Sequence, residues 1–106
     1  MGMDYSYAGS ASYPRFNEEL YAVAKVLGGT KERCEATGKL KFVFPDGTNE
    51  ILVRWFNNIY GEDFTEEETK IIWECIKNYP EIVEISYQIW YELKTLVDYN
   101  EAWYIS

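Results

Sequence analysis

The chain has 106 residues, a formal net charge of −8, no histidine and two cysteines; 18% of its residues are aromatic. That length gives one domain with a core of its own, and the aromatic content argues against disorder of the chain as a whole. Lacking His, it has neither the commonest general base nor the commonest metal ligand, and no apolar run of about 18 residues offers a membrane span.

Residues 4–13, DYSYAGSASY, show neither a helical nor a strand period and read as an irregular arm. Its Tyr, Ser and Gly are the residue types of binding loops, where Tyr gives rigid contact area and Ser and Gly adapt. Tyr5 and Tyr7 are therefore candidate contact residues; the competing reading lays these rings across the core.

Residues 14–27 form the first predicted helix. Pro14 suits the first turn, with Ser12 or Tyr13 as cap. Phe16, Leu20, Val23 and Leu27 recur on one face, and Gly28-Gly29 stops the helix. A small antiparallel strand pair follows at about 31–44. Its second strand alternates, with Leu40, Phe42 and Phe44 on one face, and Ala36-Thr37-Gly38-Lys39 makes the turn. Residues 48–60 are open to two readings: a strand that continues after the turn Pro45-Asp46-Gly47, or a helix over about 49–60. The period of Ile51, Leu52, Trp55, Phe56 and Ile59 favours the helix, which Gly61 would close.

The helix at 65–78 has the clearest start: Thr65 with Glu68 three residues on is a capping box, and Glu66 and Glu67 enrich the first turn. Asn78-Tyr79-Pro80 breaks it and opens a helix over 80–98. On a helical wheel, Ile82, Ile85, Ser86, Ile89, Leu93 and Leu96 lie within an apolar arc of roughly 160°. Glu81, Glu84, Gln88, Glu92 and Thr95 share a narrow polar strip opposite. The tail from Tyr99 carries Trp103 and Tyr104 and reads equally as a helical turn or an edge strand. The expected fold is α+β and predominantly helical, with about four helices packed on a two-stranded antiparallel sheet.

Residues 61–106 hold three Lys against eleven Asp and Glu, a difference of −8, so this half carries the whole charge excess. Direct nucleic-acid binding by it is disfavoured, and a basic partner surface is favoured. The candidate contact set is Glu81, Glu84 and Glu92 on the polar strip, with Glu74 beside it. Trp73, off the apolar stripe of its helix, and Trp103, in the tail, join the set because exposed Trp marks interfaces.

No catalytic, cofactor or metal motif is present. Cys34, between Arg33 and Glu35, has no His to serve as base, and Cys75 lies on an apolar stripe. Two cysteines without disulfide spacing and no leader pattern place the chain in the cytoplasm. The expected function is that of a non-catalytic protein-interaction module. Its narrowest form is a phage or mobile-element inhibitor whose acidic face mimics nucleic acid and meets a nucleic-acid-binding protein. The alternative is a nucleotide- or metabolite-binding domain with an aromatic-lined pocket between the arm and the helices.

Overall fold

The computed structural model describes residues 2–59 and 62–105. Its elements are β1 (Gly2–Asp4), β2 (Ser10–Ser12), α1 (Tyr13–Val26), β3 (Thr30–Arg33), β4 (Leu40–Val43), α2 (Glu50–Asn57), α3 (Glu66–Ile76), α4 (Glu81–Ile85) and α5 (Tyr87–Asp98). The fold is α+β with mainly helical content, as the periodicities indicate. Among the described residues it has five helices and two separate two-stranded antiparallel sheets, one more of each than expected.

The extra sheet lies in the arm. β1 pairs with β2 in the register Gly2↔Ser12, Met3↔Ala11, Asp4↔Ser10. Ser-Ala-Ser lacks the β-branched residues that announce a strand, and the hairpin is set instead by its loop. The Tyr5 amide donates to the Gly9 carbonyl at 2.8 Å, and Gly9 takes a φ of +84°, which glycine adopts without penalty. Met3 and Ala11 point into the core from this sheet.

Ser12 then caps α1, its Oγ accepting the Arg15 amide at 3.3 Å. The helix closes as a Schellman motif. The Gly28 amide donates to the Lys25 carbonyl and the Gly29 amide to the Ala24 carbonyl, with Gly28 at φ +87°.

In the second hairpin β3 pairs with β4 from Thr30↔Val43 to Arg33↔Leu40. Phe42 and Phe44 pack against Phe56 of α2, with ring centroids 5.4 and 5.1 Å apart. Leu40, expected on the same covered face, is 55% exposed: at the far end of β4, it stands in solvent. Asn57 fixes the strand to α2. Its Oδ1 accepts the Phe42 amide at 2.8 Å and its Nδ2 donates to the Phe42 carbonyl at 3.1 Å. α2 ends at Asn57, before the expected stop; the stop at Gly61 lies outside the described residues.

The capping box of α3 is present in both directions. The Glu68 amide donates to Thr65 Oγ1 at 3.1 Å and the Thr65 amide to Glu68 Oε1 at 3.0 Å. Ile72 and Ile76 are buried below it, and Thr69 is buried with them. The Thr69 hydroxyl donates to the Thr65 carbonyl at 2.8 Å and accepts the Trp103 amide at 2.9 Å. This bond carries the tail inward as irregular chain, neither helical turn nor strand, and sets the Trp103 ring edge-on to Trp55 at 5.1 Å.

The helix expected over 80–98 is broken at Ser86, which takes φ −150° and ψ 90°. Ser86 sits on the apolar arc, yet its hydroxyl acts on backbone and side chain together. It accepts the Ile89 amide as the cap of α5 and donates to the Glu19 carboxylate of α1. The break lets α4 pack on α1 while α5 packs on α3. Ile82, Ile89, Leu93 and Leu96 fill the core from the two segments, as the apolar arc predicts.

Candidate functional site

The polar strip of residues 81–98 divides in two. Glu92 does not reach the surface: it is fully buried. Its Oε2 accepts the Ser6 amide at 2.9 Å, and its Oε1 accepts the amides of Tyr7 at 2.8 Å and Ala8 at 3.1 Å. Three successive backbone N–H groups thus converge on one carboxylate, the arrangement by which a loop cradles an anion. Here the anion is part of the protein. Among the described residues no Lys or Arg pairs with Glu92. Burial pushes its pKa above the ordinary glutamate value, and the amides of Ser6 and Ala8 pull part of the way back.

Gln88, one turn earlier on α5, extends the attachment. Its Nε2 donates to the carbonyls of Ala8 and Ser10, both at 2.9 Å. Tyr7 completes it from the other side, its hydroxyl donating to Glu101 and its ring stacking on Tyr99 with centroids 5.5 Å apart. Glu92 and Gln88 of α5, with Glu101 just beyond its end, therefore strap the loop Tyr5–Gly9 in place.

The expected contact set is redistributed accordingly. Glu92 is corrected from surface acid to internal anchor. Trp103 is corrected from exposed to buried, since Thr69 pulls its backbone inward. Tyr5 is buried too, edge-on to Phe16 and Trp103, which agrees with the reading that lays this ring on the core. Trp73 is half-buried, its ring edge-on to Trp90 at 4.8 Å. Glu74 is exposed, and its carboxylate pairs with Lys77 at 2.6 Å. Tyr7 is exposed but held by Tyr99 and Glu101. Glu81 and Glu84 are exposed on α4 with no ion-pair partner among the described residues.

What the sequence reading missed is tyrosine. Tyr87 and Tyr91 stand one turn apart on the outer face of α5, stacked at 5.7 Å with an interplanar angle of 30°. Tyr87 is 61% exposed, and Tyr99 and Tyr104 are similarly open. Apart from Leu40, every large hydrophobic side chain exposed among the described residues is a tyrosine. Their signal was present as an i, i+4 pair. On one unbroken wheel, however, the pair falls in the gap between the apolar arc and the polar strip.

Concave regions lie beside the arm and beside the hairpin among the described residues. Beside the arm, Asp4, Ser10, Ser12 and Arg15 border an open polar depression without aromatic walls. Between α1, the β3–β4 hairpin and α2 lies a cleft of about 290 Å³ whose walls include Leu20, Phe42, Phe56 and Ile59.

The two thiols differ. The Cys34 thiol is held below its usual pKa, first by the Thr37 hydroxyl, then by the amides of Thr37 and Ala36. Burial and the neighbouring Glu74 push the Cys75 thiol up. Among the described residues no three His, Cys, Asp or Glu side chains converge as metal ligands, and no helix is long and apolar enough to cross a membrane.

Comparison with protein-family models, with curated proteins and with solved structures finds no match for this chain.

Proposed function

We propose that the chain is a non-catalytic protein-interaction module that meets a basic partner through the outer face of α4 and α5. The observation that carries this reading is the stacked, exposed pair Tyr87–Tyr91, which follows in sequence on Glu81 and Glu84, exposed acids with no ion-pair partner among the described residues. Tyrosine contributes large contact area at small entropic cost and accepts a cation on its ring face; flanking carboxylates draw Arg and Lys towards it. An arginine-bearing surface is the chemistry that uses both.

Mimicry of nucleic acid by an inhibitor is the narrower form. A phosphate mimic needs a row of like charge. With Glu92 in the interior, Glu81 and Glu84 are the acids the strip keeps on its surface. The outer strip of α3 sets Lys70 and Lys77 among Glu66, Glu67 and Glu74, all exposed. Recognition by tyrosine and acid together fits this surface better than a continuous line of charge.

The test is affinity capture with three baits: the native chain, Tyr87→Ser/Tyr91→Ser, and Glu81→Gln/Glu84→Gln. A partner lost with the tyrosine variant, and captured in a salt-dependent way that the Gln variant weakens, supports the reading. Displacement of that partner by duplex DNA supports the mimic. Equal capture by all three baits removes this face as the contact surface.

A further inference from the structure

We infer a second, separate site: the cleft between α1, the β3–β4 hairpin and α2 binds a small aryl carboxylate, its ring against Phe42 and Phe56 and its carboxylate on Lys31. Phe42 and the exposed Leu40 form its apolar side, the buried Leu20, Phe56 and Ile59 its floor, and three asparagines, Asn57 among them, its polar side. Two features distinguish it from an ordinary surface groove. First, Lys31 lines it half-buried, with Nζ 5.3 Å from the Phe42 ring centroid and 5.1 Å from that of Tyr21. No carboxylate among the described residues pairs with this ammonium. A cation held over aromatic faces without a counter-ion is a place for an anion.

Second, the wall is rigid. The two hydrogen bonds between the Asn57 side chain and the Phe42 backbone, one accepted and one donated, lock β4 onto α2, so the ring of Phe42 keeps its place beside Phe56. A pre-formed aromatic side with a few polar groups and one charge is the usual make-up of a small-ligand site, and Asn57 and Lys31 supply the polar part here. The size suits the class: about 290 Å³ admits one or two rings and their acid, not a nucleotide. The sign suits it as well. In a chain of net charge −8, this hairpin carries Lys31, Arg33, Lys39 and Lys41 against Glu32 and Glu35. The local excess of positive charge favours an anion here.

The probe is hydrocinnamate, with its neutral amide as control, titrated into the isotope-labelled full chain and followed by amide chemical shifts. For a ligand this small, a Kd on the order of 1 mM is expected. Shifts should centre on Leu20, Lys31, Phe42 and Phe56, with the amide about tenfold weaker than the acid. Lys31→Ala should abolish the preference for the acid, and Lys31→Arg should keep it. Equal affinity of acid and amide, shifts centred elsewhere, or no binding by about 10 mM would overturn the assignment. The acid–amide comparison on the native chain decides the matter even if a Lys31 variant fails to fold.

Discussion

The carboxylate of Glu92 accepts the backbone amide of Tyr7 at 2.8 Å across a sequence separation of 85 residues, and it accepts the neighbouring amides of Ser6 and Ala8 as well. A buried acid with no cationic partner among the described residues is tolerated because three N–H dipoles replace the water it gave up. The N-terminal loop and α5 are thereby one structural unit, and the arm is positioned by a helix from the other end of the chain.

Glu92→Ala should be among the most destabilising single changes in the protein. It leaves three amides without their acceptor and opens space in the interior, at a cost of about 3 kcal/mol. Glu92→Gln keeps an oxygen for Tyr7 and Ala8 but sets an NH₂ against the Ser6 amide, and should cost about 1 kcal/mol. Chemical denaturation of the three proteins checks the order. In the variants, amide exchange at Ser6–Ala8 should accelerate before the rest of the fold loosens.

The same residue makes stability depend on pH with a definite sign. Its folded pKa is raised, first by burial. Its contribution is therefore fully present below the unfolded glutamate value and is lost as pH rises through the folded value. The stability of the native chain minus that of Glu92→Gln should decline across that window. Glu68 acts oppositely. The Thr65 amide and then Arg54 hold its pKa down, so its contribution is present above the unfolded value and is lost as pH falls through the folded one. Glu68→Gln should flatten the acid limb of the pH profile, and Glu92→Gln the limb above it. Denaturant midpoints taken across the acid range for each variant separate the two.

Thr69→Val preserves shape but removes the hydroxyl that receives the Trp103 amide. Losing that buried acceptor should cost about 1–3 kcal/mol. Because Trp103 stands edge-on to Trp55, near-ultraviolet circular dichroism should change with it. An unaltered spectrum and an unchanged denaturation midpoint would contradict the role given to Thr69.

Cys34 should be the faster thiol. The Thr37 hydroxyl favours its thiolate, whereas burial and Glu74 disfavour that of Cys75. Mass-spectrometric alkylation kinetics with iodoacetamide near neutral pH should show Cys34 modified first. Thr37→Ala should narrow the difference.

The sequence was most legible where a side chain acts on its own neighbourhood. Thr65 with Glu68 identifies the start of α3, and Gly28-Gly29 the end of α1, because caps and stops are local chemistry. The core positions Phe16, Leu20, Ile72, Ile89 and Leu93 followed from periodicity alone. Glu92 was not legible, because its partners are backbone amides that leave no side-chain signature and lie at the opposite terminus. Ser86 reads as one polar residue on an apolar arc until Glu19 is brought to it. The Tyr87–Tyr91 pair carries neither charge nor a place on the apolar arc, so a wheel that sorts residues into core and acid passes over it. Thr69 belongs with these, since nothing around it in the chain announces that Trp103 will need its oxygen.

The central functional claim is that the tyrosine-bearing face of α4 and α5 meets a basic surface, and chemical-shift mapping with a short arginine-rich peptide tests it most directly. The predicted result is a continuous patch of shifts over Glu81, Glu84, Tyr87 and Tyr91, weakened by salt and lost in Tyr87→Ser/Tyr91→Ser. Shifts spread over the exposed carboxylates of every helix, unchanged by the tyrosine substitutions, would contradict it.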